Sequence, residues 1–354
     1  MWSRVGSRRF WTETRTLLVV VGVLVSAVFM YVAVRGAHPR QTLEALRATN
    51  YALLVPALAL LAAAFFIRAV RWRSLFAPGG KPPFADIVAS QFVGYLANAI
   101  LPVRAGEAAA IVALNKRART PIAEGTATVF VQRVEDVLSL VLLLFVMLPW
   151  LPDLSWLRAA AVISVALLAA LVVLVILVLV FGEGVVRLLA RPLGWLPFVP
   201  KDALERAPAH FLRGLAGLVT PRIALVSFGW TTLSWIVLGF GFWVVLRASD
   251  IHLSPLAGIL VVIGIGLAMI LPSSPAALGV FEGATVVVLA AYGVGDSVAL
   301  SYALVLHLLN VLPLFAVAAA LLLVRRRRRT RTAQALRGEP APASALLSDS
   351  ALEP

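Results

Sequence analysis

The chain has 354 residues, 61% of them hydrophobic and 14% charged, with a formal net charge of +14. A soluble domain averages about 45–50% apolar residues even with glycine counted, and about 25% charged. Several runs here exceed about eighteen residues with almost no charge, so a water-soluble enzyme is excluded and an integral membrane protein is implied.

There is no cysteine, which removes disulfides, thiolate catalysis, Cys-ligated zinc and iron–sulfur chemistry. The histidines (His38, His210, His252, His307) are scattered and match no metal-binding spacing, so no metal or cofactor is expected. The excess of Lys and Arg sits in short segments flanking apolar runs, with five in a row from Arg325 to Arg329. That is the distribution of the positive-inside rule and of contact with anionic headgroups, not of nucleic-acid binding.

In chain order, residues 1–15 read as a basic cytoplasmic N-terminus and residues 16–34 as a retained first span. The second span covers residues 51–67 and ends at Arg68, Arg71 and Arg73, which around Trp72 read as an interfacial anchor first and a headgroup contact second. Residues 86–114 behave differently. Two apolar pieces, 87–100 and 105–114, are each too short to cross, and Pro102 breaks the helix between them. This predicts a re-entrant helical hairpin entering from the cytoplasm.

The third span runs from Thr120-Pro121, an N-cap and first-turn pair, to about Pro149. The fourth is residues 159–181. A basic segment follows over 182–222, with a weakly amphipathic interfacial stretch at 203–219, and the fifth span is 223–246. Short apolar pieces then return at 256–270 and 280–291, around a break containing Pro272 and Pro275. The last span, 297–324, is stopped by the five arginines, and residues 325–354 read as a basic, then disordered, cytoplasmic tail.

Each half, 16–150 and 159–324, thus holds two helices, a Pro-broken hairpin and a third helix. Ile100-Leu101-Pro102 is followed by Gly106-Glu107, and Ile270-Leu271-Pro272 by Gly279 and Glu282. Three spans per half invert the second half relative to the first, and paired interrupted segments in matching places point to an inverted-repeat transporter. The expected fold is an all-α polytopic membrane protein with six full spans and two re-entrant hairpins. Eight spans are the alternative, with the second hairpin crossing twice.

Ionisable groups at membrane depth are costly and ask for a reason. Arg104 and Glu107 lie three apart at the mouth of the first hairpin and can share a helical face, either as an internal ion pair or as a grip on a phosphate and its headgroup. Arg133 and Asp136 repeat that spacing in the third span, with Gln132 four before the Asp. They form a structural lock or the wall of a binding site, and Glu135 points to another face. Glu124 suits the positive end of its helix. Glu282 has no basic neighbour in sequence, so its partner comes from another segment, a ligand or free backbone amides. His307 and Asn310 on the last span read as helix–helix hydrogen-bonding groups.

Four stretches then carry a resemblance. They are Arg68-Ala-Val-Arg71-Trp72-Arg73; Asn98 through Pro102 and Arg104 to Gly106-Glu107; Arg133-Val-Glu-Asp136; and Pro272-Ser-Ser-Pro275-Ala-Ala-Leu-Gly279-Val-Phe-Glu282. With the matching spans, residues 16–324 resemble the membrane region of bacterial lysylphosphatidylglycerol synthases, a family of flippase-like proteins. The resemblance implies movement of phospholipid or lipid-linked headgroups between leaflets, with the hairpins lining cavities that open to opposite faces of the plasma (inner) membrane. It places Arg104, Glu107, Arg133, Asp136 and Glu282 at the headgroup site. Asn98, Pro102, Gly106, Pro272, Pro275 and Gly279 would shape the hairpin backbone. Three positions depart from the family pattern: Ala110 where an Arg is usual, Gln132 where an acid is usual, and Ala276-Ala277 in place of Gly-Gly. No P-loop is present, which disfavours ATP-driven pumping by this chain. A lipid-linked transferase, or a membrane partner of a separate synthase, is the competing expectation.

Overall fold

The computed structural model describes residues 20–101, 105–150, 220–269, 271 and 273–337, with Leu215 and isolated positions between 162 and 177. Every regular element among them is helical. Ten α-helices follow in order: α1 (Val20–Val34), α2 (Pro39–Ala48), α3 (Leu54–Ser74), α4 (Phe84–Ile100), α5 (Gly106–Ala118), α6 (Ile122–Met147), α7 (Pro221–Ala248), α8 (Pro255–Ala268), α9 (Val280–Ala290) and α10 (Asp296–Arg337). Pro39, Pro221 and Pro255 each stand at the start of a helix, where the missing N–H is no loss and φ is already set. Residues 1–309 form one compact unit; 310–354 form a second, whose described part is the C-terminal portion of α10.

Among the described residues, three helical segments are long and apolar enough to cross a bilayer, Tyr51–Ser74, Pro221–Ala248 and Asp296–Leu323. The pair α1 and α2, bent by 81°, makes a fourth if taken as one broken span. The 26 residues of α6 reach about 39 Å at 1.5 Å each, but the helix carries Glu124, Arg133, Glu135 and Asp136 and is too charged to count as a purely apolar span. The expected fourth span at 159–181, the segment 182–219, the N-terminal residues 1–15 and the tail beyond Arg337 lie largely or wholly outside the described residues.

Several boundaries differ from the sequence reading. Helix α3 continues past residue 67 to Ser74, carrying its arginines inside the helix. Nothing between Arg68 and Ser74 breaks a helix, and Pro78 is the first residue that does. Pro121 is the N-cap of α6 with no side-chain cap, and Thr120 instead offers its carbonyl to Asn115 Nδ2 at 2.8 Å. A short helix, α2, was not anticipated between the first two spans. Helix α10 runs through the five arginines to Arg337, so they end the apolar stretch but not the helix.

Helices α3 and α7 lie side by side. The Asn50 N–H bonds the Ala248 carbonyl at one end (2.8 Å), and Arg71 reaches Thr231 toward the other, so the two run antiparallel. Helices α4 and α5 form a helical hairpin at the Ser74/Pro221 end. Arg117 of α5 lies 3.8 Å from Asp86 at the start of α4, so both legs return to the same end. Gly106 sits so close to the Gly94 carbonyl and Asn98 that a β-carbon there would overlap both. Helices α8 and α9 form the second hairpin, which follows α7 after six residues and so enters from the Asn50/Ala248 end. The Pro275–Ala277 turn at its break packs against α4. The two hairpins therefore enter this unit from opposite ends, and the break of the second meets a leg of the first.

The main apolar core lies around the second hairpin, where Phe242, Leu246, Leu260, Ile263, Leu289, Tyr302 and Leu306 pack together. Nine of the eleven residues of α9 are buried, whereas only 17–22% of the apolar windows of the three long spans is. Helix α1 covers the break: Ser26 Oγ accepts the Ser274 N–H at 2.8 Å, and Gly279 (φ 87°) lies against the Ser26 carbonyl. A side chain at 279 would need both a left-handed backbone and space that α1 occupies.

Candidate functional site

Arg68 and Arg71, three apart on α3, share a face turned toward α6 and α7. Arg71 is buried, at 3% exposure. Its Nη1 lies 2.5 Å from Asp136 Oδ1, and its Nη2 donates to Gln132 Oε1 at 2.7 Å. This overturns the interfacial-anchor reading for Arg71, while Arg73 stays exposed. A guanidinium stays in such surroundings only when it is paired and hydrogen-bonded, and α6 supplies both partners at i and i+4.

Asp136 uses its second oxygen as well. Oδ2 accepts from Arg133 Nη1 at 3.2 Å, the predicted i,i+3 pair, and Arg133 Nη2 reaches Glu107 Oε1 of α5 at 3.0 Å. The result is an alternating ladder, Arg71–Asp136–Arg133–Glu107, joining three helices. Its side chains are 4% and 10% exposed at the Arg71–Asp136 end but 48% and 35% at the Arg133–Glu107 end. Only the latter end can meet a headgroup without disturbing packing. Glu135 faces elsewhere, as expected, and accepts hydrogen bonds from the hydroxyls of Ser227 and Thr231 on α7. Thr231 links this acid to the ladder by accepting from Arg71 Nη1 at 3.4 Å.

Arg68 takes neutral partners. It donates to the Tyr95 hydroxyl of α4 at 3.2 Å and lies 3.5 Å from Ser234 Oγ, with its guanidinium carbon 4.4 Å from the centre of the Trp235 ring.

The break beside the ladder is held by Asn98, whose Oδ1 accepts the Gly106 N–H at 2.8 Å. This caps the first turn of α5 and leaves Glu107 free to reach Arg133. Arg104 and Pro102 lie outside the described residues, and so does Pro272. Glu282 does not join the ladder. It is 1% exposed, with Oε2 accepting the Gly279 N–H at 2.7 Å and Oε1 2.5 Å from His307 Nδ1 on α10. Phe281 stacks on the His307 ring at 4.6 Å. The missing partner of Glu282 is thus both a backbone amide and another helix. Pro275 opens the tight turn at the break, where Ala276 (φ 55°) and Ala277 (φ 57°) both take the left-handed conformation.

Glu107, Arg133 and Asp136 are therefore brought together, and Glu282 stands apart in the second hairpin. Arg68 and Arg71 stand at the interface in the sequence reading rather than inside the site, and Trp235 and the Ser227–Thr231 hydroxyls are missing from that reading. The i,i+3 spacing of Arg68 and Arg71 inside an uninterrupted helical pattern was the available signal. The polar residues of α7 carry none, because single hydroxyls in apolar helices are common.

The family model for the lysylphosphatidylglycerol synthase TM region matches residues 19–318. The chain belongs to that family. The match takes in every described residue of the ladder and both hairpins, and it makes this a multi-pass membrane protein of a family tied to membrane lipid. No curated protein matches the chain.

Proposed function

We propose that the chain is a lipid flippase or facilitator that carries phospholipid or lipid-linked headgroups between leaflets, past the two hairpin breaks. The observation that carries this reading is the ladder's open end. A matched carboxylate and guanidinium, half-exposed beside a helix break, can trade their mutual contact for a zwitterionic or anionic headgroup without leaving a charge unpaired.

The proposed architecture is six spans with two re-entrant hairpins. The 14 residues of α8 and the 11 of α9 reach only about 21 and 17 Å, short of a ~30 Å core, which favours re-entry over eight spans. Arg73, Lys81, Lys116, Arg117 and Arg119 gather where α3 ends and α4 begins and α5 ends. On the positive-inside rule that end faces the cytoplasm, with both termini on the cytoplasmic side of the plasma membrane and the arginines from 325 to 329 against anionic headgroups. Membrane potential would bias a charged lipid by ~2.3 kcal/mol per charge per 100 mV.

The test is leaflet exchange of labelled phospholipids in liposomes holding the purified chain, wild type against Glu107→Gln and Arg133→Gln. Exchange that falls at least tenfold in both variants supports the reading. Exchange no faster than in protein-free liposomes, across anionic, aminoacylated and polyprenyl-phosphate lipids, overturns it. The family's description names a synthase region, and that outcome would favour the second reading, a membrane partner of a separate lipid-modifying enzyme.

A further inference from the structure

Three arginines enter the polar region between α3, α6 and α7, and two of them are matched by carboxylates. Arg71 and Arg133 share Asp136, and Arg133 also holds Glu107. Arg68 differs. Among the described residues no carboxylate contacts it; its neighbours are a phenol, a hydroxyl at the edge of hydrogen-bonding distance and an indole face. Its Nη2 is buried with no acceptor, and so is Nε1 of the Trp235 on which it stacks. Two buried donors on stacked groups, one of them cationic, stand here without an acceptor between them.

That arrangement calls for an anion. Asp136 offsets the Arg68 charge only from a distance, so an anion in direct contact gains most from the two free donors, a neutral ligand gains less, and a cation would be repelled. The guanidinium fork matches two oxygens of a tetrahedral phosphate, the indole N–H supplies a further donor, and stacking fixes the guanidinium plane before anything binds. Arg68, Tyr95 and Trp235 are each partly exposed along the α3–α4–α7 surface, whereas the two unpaired nitrogens themselves are covered, so a phosphate meets them once neighbouring side chains shift. We propose that Arg68 and Trp235 form the seat of the lipid phosphate, while the ladder's open end meets the rest of the headgroup. This deepens the flippase reading and rests on it for the identity of the ligand as a lipid.

The experiment measures lipid binding and leaflet exchange on the same full-length preparations. Binding of phosphatidylglycerol and of phosphatidylcholine is titrated by native mass spectrometry on wild type, Arg68→Gln, Arg68→Lys and Trp235→Phe, with thermal unfolding of each. Arg68→Gln should weaken phosphatidylglycerol binding about tenfold or more, the loss of a charge-assisted bidentate contact. Trp235→Phe, which keeps the stack and loses the N–H, should weaken it by a few-fold at unchanged unfolding temperature. Arg68→Lys should fall between wild type and Arg68→Gln. Should Arg68→Gln fail to fold, Trp235→Phe carries the test alone. Displacement by millimolar inorganic phosphate would extend the seat to free phosphate, and its absence would confine the seat to the lipid.

Wild-type binding of phosphatidylglycerol by Arg68→Gln or by Trp235→Phe overturns the phosphate seat and leaves the flippase reading standing. Arg68-dependent binding without leaflet exchange by the wild type keeps the seat and removes the flippase. Loss of binding confined to variants with a lowered unfolding temperature means that Arg68 only ties α3, α4 and α7 together, and also overturns the seat.

Discussion

The two hairpins answer the same problem, a helix started at a break inside apolar surroundings, with different groups. In the first, Asn98 of the preceding leg caps the Gly106 amide, and the acid of α5, Glu107, is released to Arg133. In the second, the acid of α9, Glu282, itself caps the Gly279 amide and is held by His307 besides. Capping by a neighbour frees a carboxylate for a ligand, and capping by the carboxylate itself removes it from reach. The two hairpins thus carry similar short strings but hold their acids differently. The first hairpin is open and charged, whereas the second is buried and tied to α1 and α10.

The strongest way to break this contrast is at the inner rung of the ladder, which continues from the first hairpin yet is buried, as the second hairpin is. Replacing Arg71 with Met leaves Asp136 with only Arg133, in a place about one-tenth exposed. Breaking a buried pair from one side costs about 3–5 kcal/mol. Thermal unfolding in detergent should show the largest fall of any single variant discussed here, and Arg71→Met with Asp136→Leu should recover much of it. A wild-type midpoint for Arg71→Met alone would mean that this rung holds nothing together.

The second hairpin is the next test. His307→Leu removes the imidazole from a carboxylate that is 1% exposed, and should cost about 1–3 kcal/mol. Glu282→Gln still accepts the Gly279 N–H and should cost less. Both losses should appear in unfolding temperature and in exchange protection of the α9 amides. If His307→Leu were no more harmful than Glu107→Gln, the two hairpins would not differ as the contacts imply.

The first hairpin should show the reverse balance. Arg133 and Glu107 are 48% and 35% exposed, and ion pairs so open contribute at most about 1 kcal/mol. Glu107→Gln should leave unfolding within that margin while slowing leaflet exchange at least tenfold. Stability and transport would then part company at one hairpin and fall together at the other. A Glu107→Gln variant that unfolds several degrees early but exchanges lipid normally would reverse the assignment.

How far these features are legible in the sequence follows from the same contacts. The two hairpins can be read because proline breaks and short apolar pieces are local signals, and Arg133–Asp136 because its spacing lies within one helix. Arg71 is not legible as a buried group. A basic residue at the end of an apolar run looks the same whether it snorkels to the interface or turns inward, and only the placement of Gln132 and Asp136 opposite it decides. The His307–Glu282 contact joins residues 25 apart on different helices, and the sequence offers two polar groups without a pairing. The five arginines after Val324 were read as a helix stop, but arginine is a good helix former, so charge ends the apolar stretch while the backbone continues.

The smallest effect concerns the turn at the second break, where a departure from the family pattern meets the backbone. Ala276 and Ala277, standing where the resemblance suggests Gly-Gly, have φ of 55° and 57°. A non-glycine residue in this region carries a cost of about 1–2 kcal/mol. Glycine would relieve it, although its extra freedom in the unfolded chain returns about 0.4–1 kcal/mol. Each Ala→Gly change should therefore raise stability by up to about 1 kcal/mol, an increase of a degree or two in unfolding temperature, with exchange intact. Gly279→Ala should do the opposite, since the added methyl meets both a φ of 87° and the Ser26 carbonyl of α1. An Ala276→Gly, Ala277→Gly double variant less stable than wild type would show that this turn does not hold its left-handed pair in the working protein. The rigid second hairpin would then be looser at its break than the contacts of Glu282 and His307 imply.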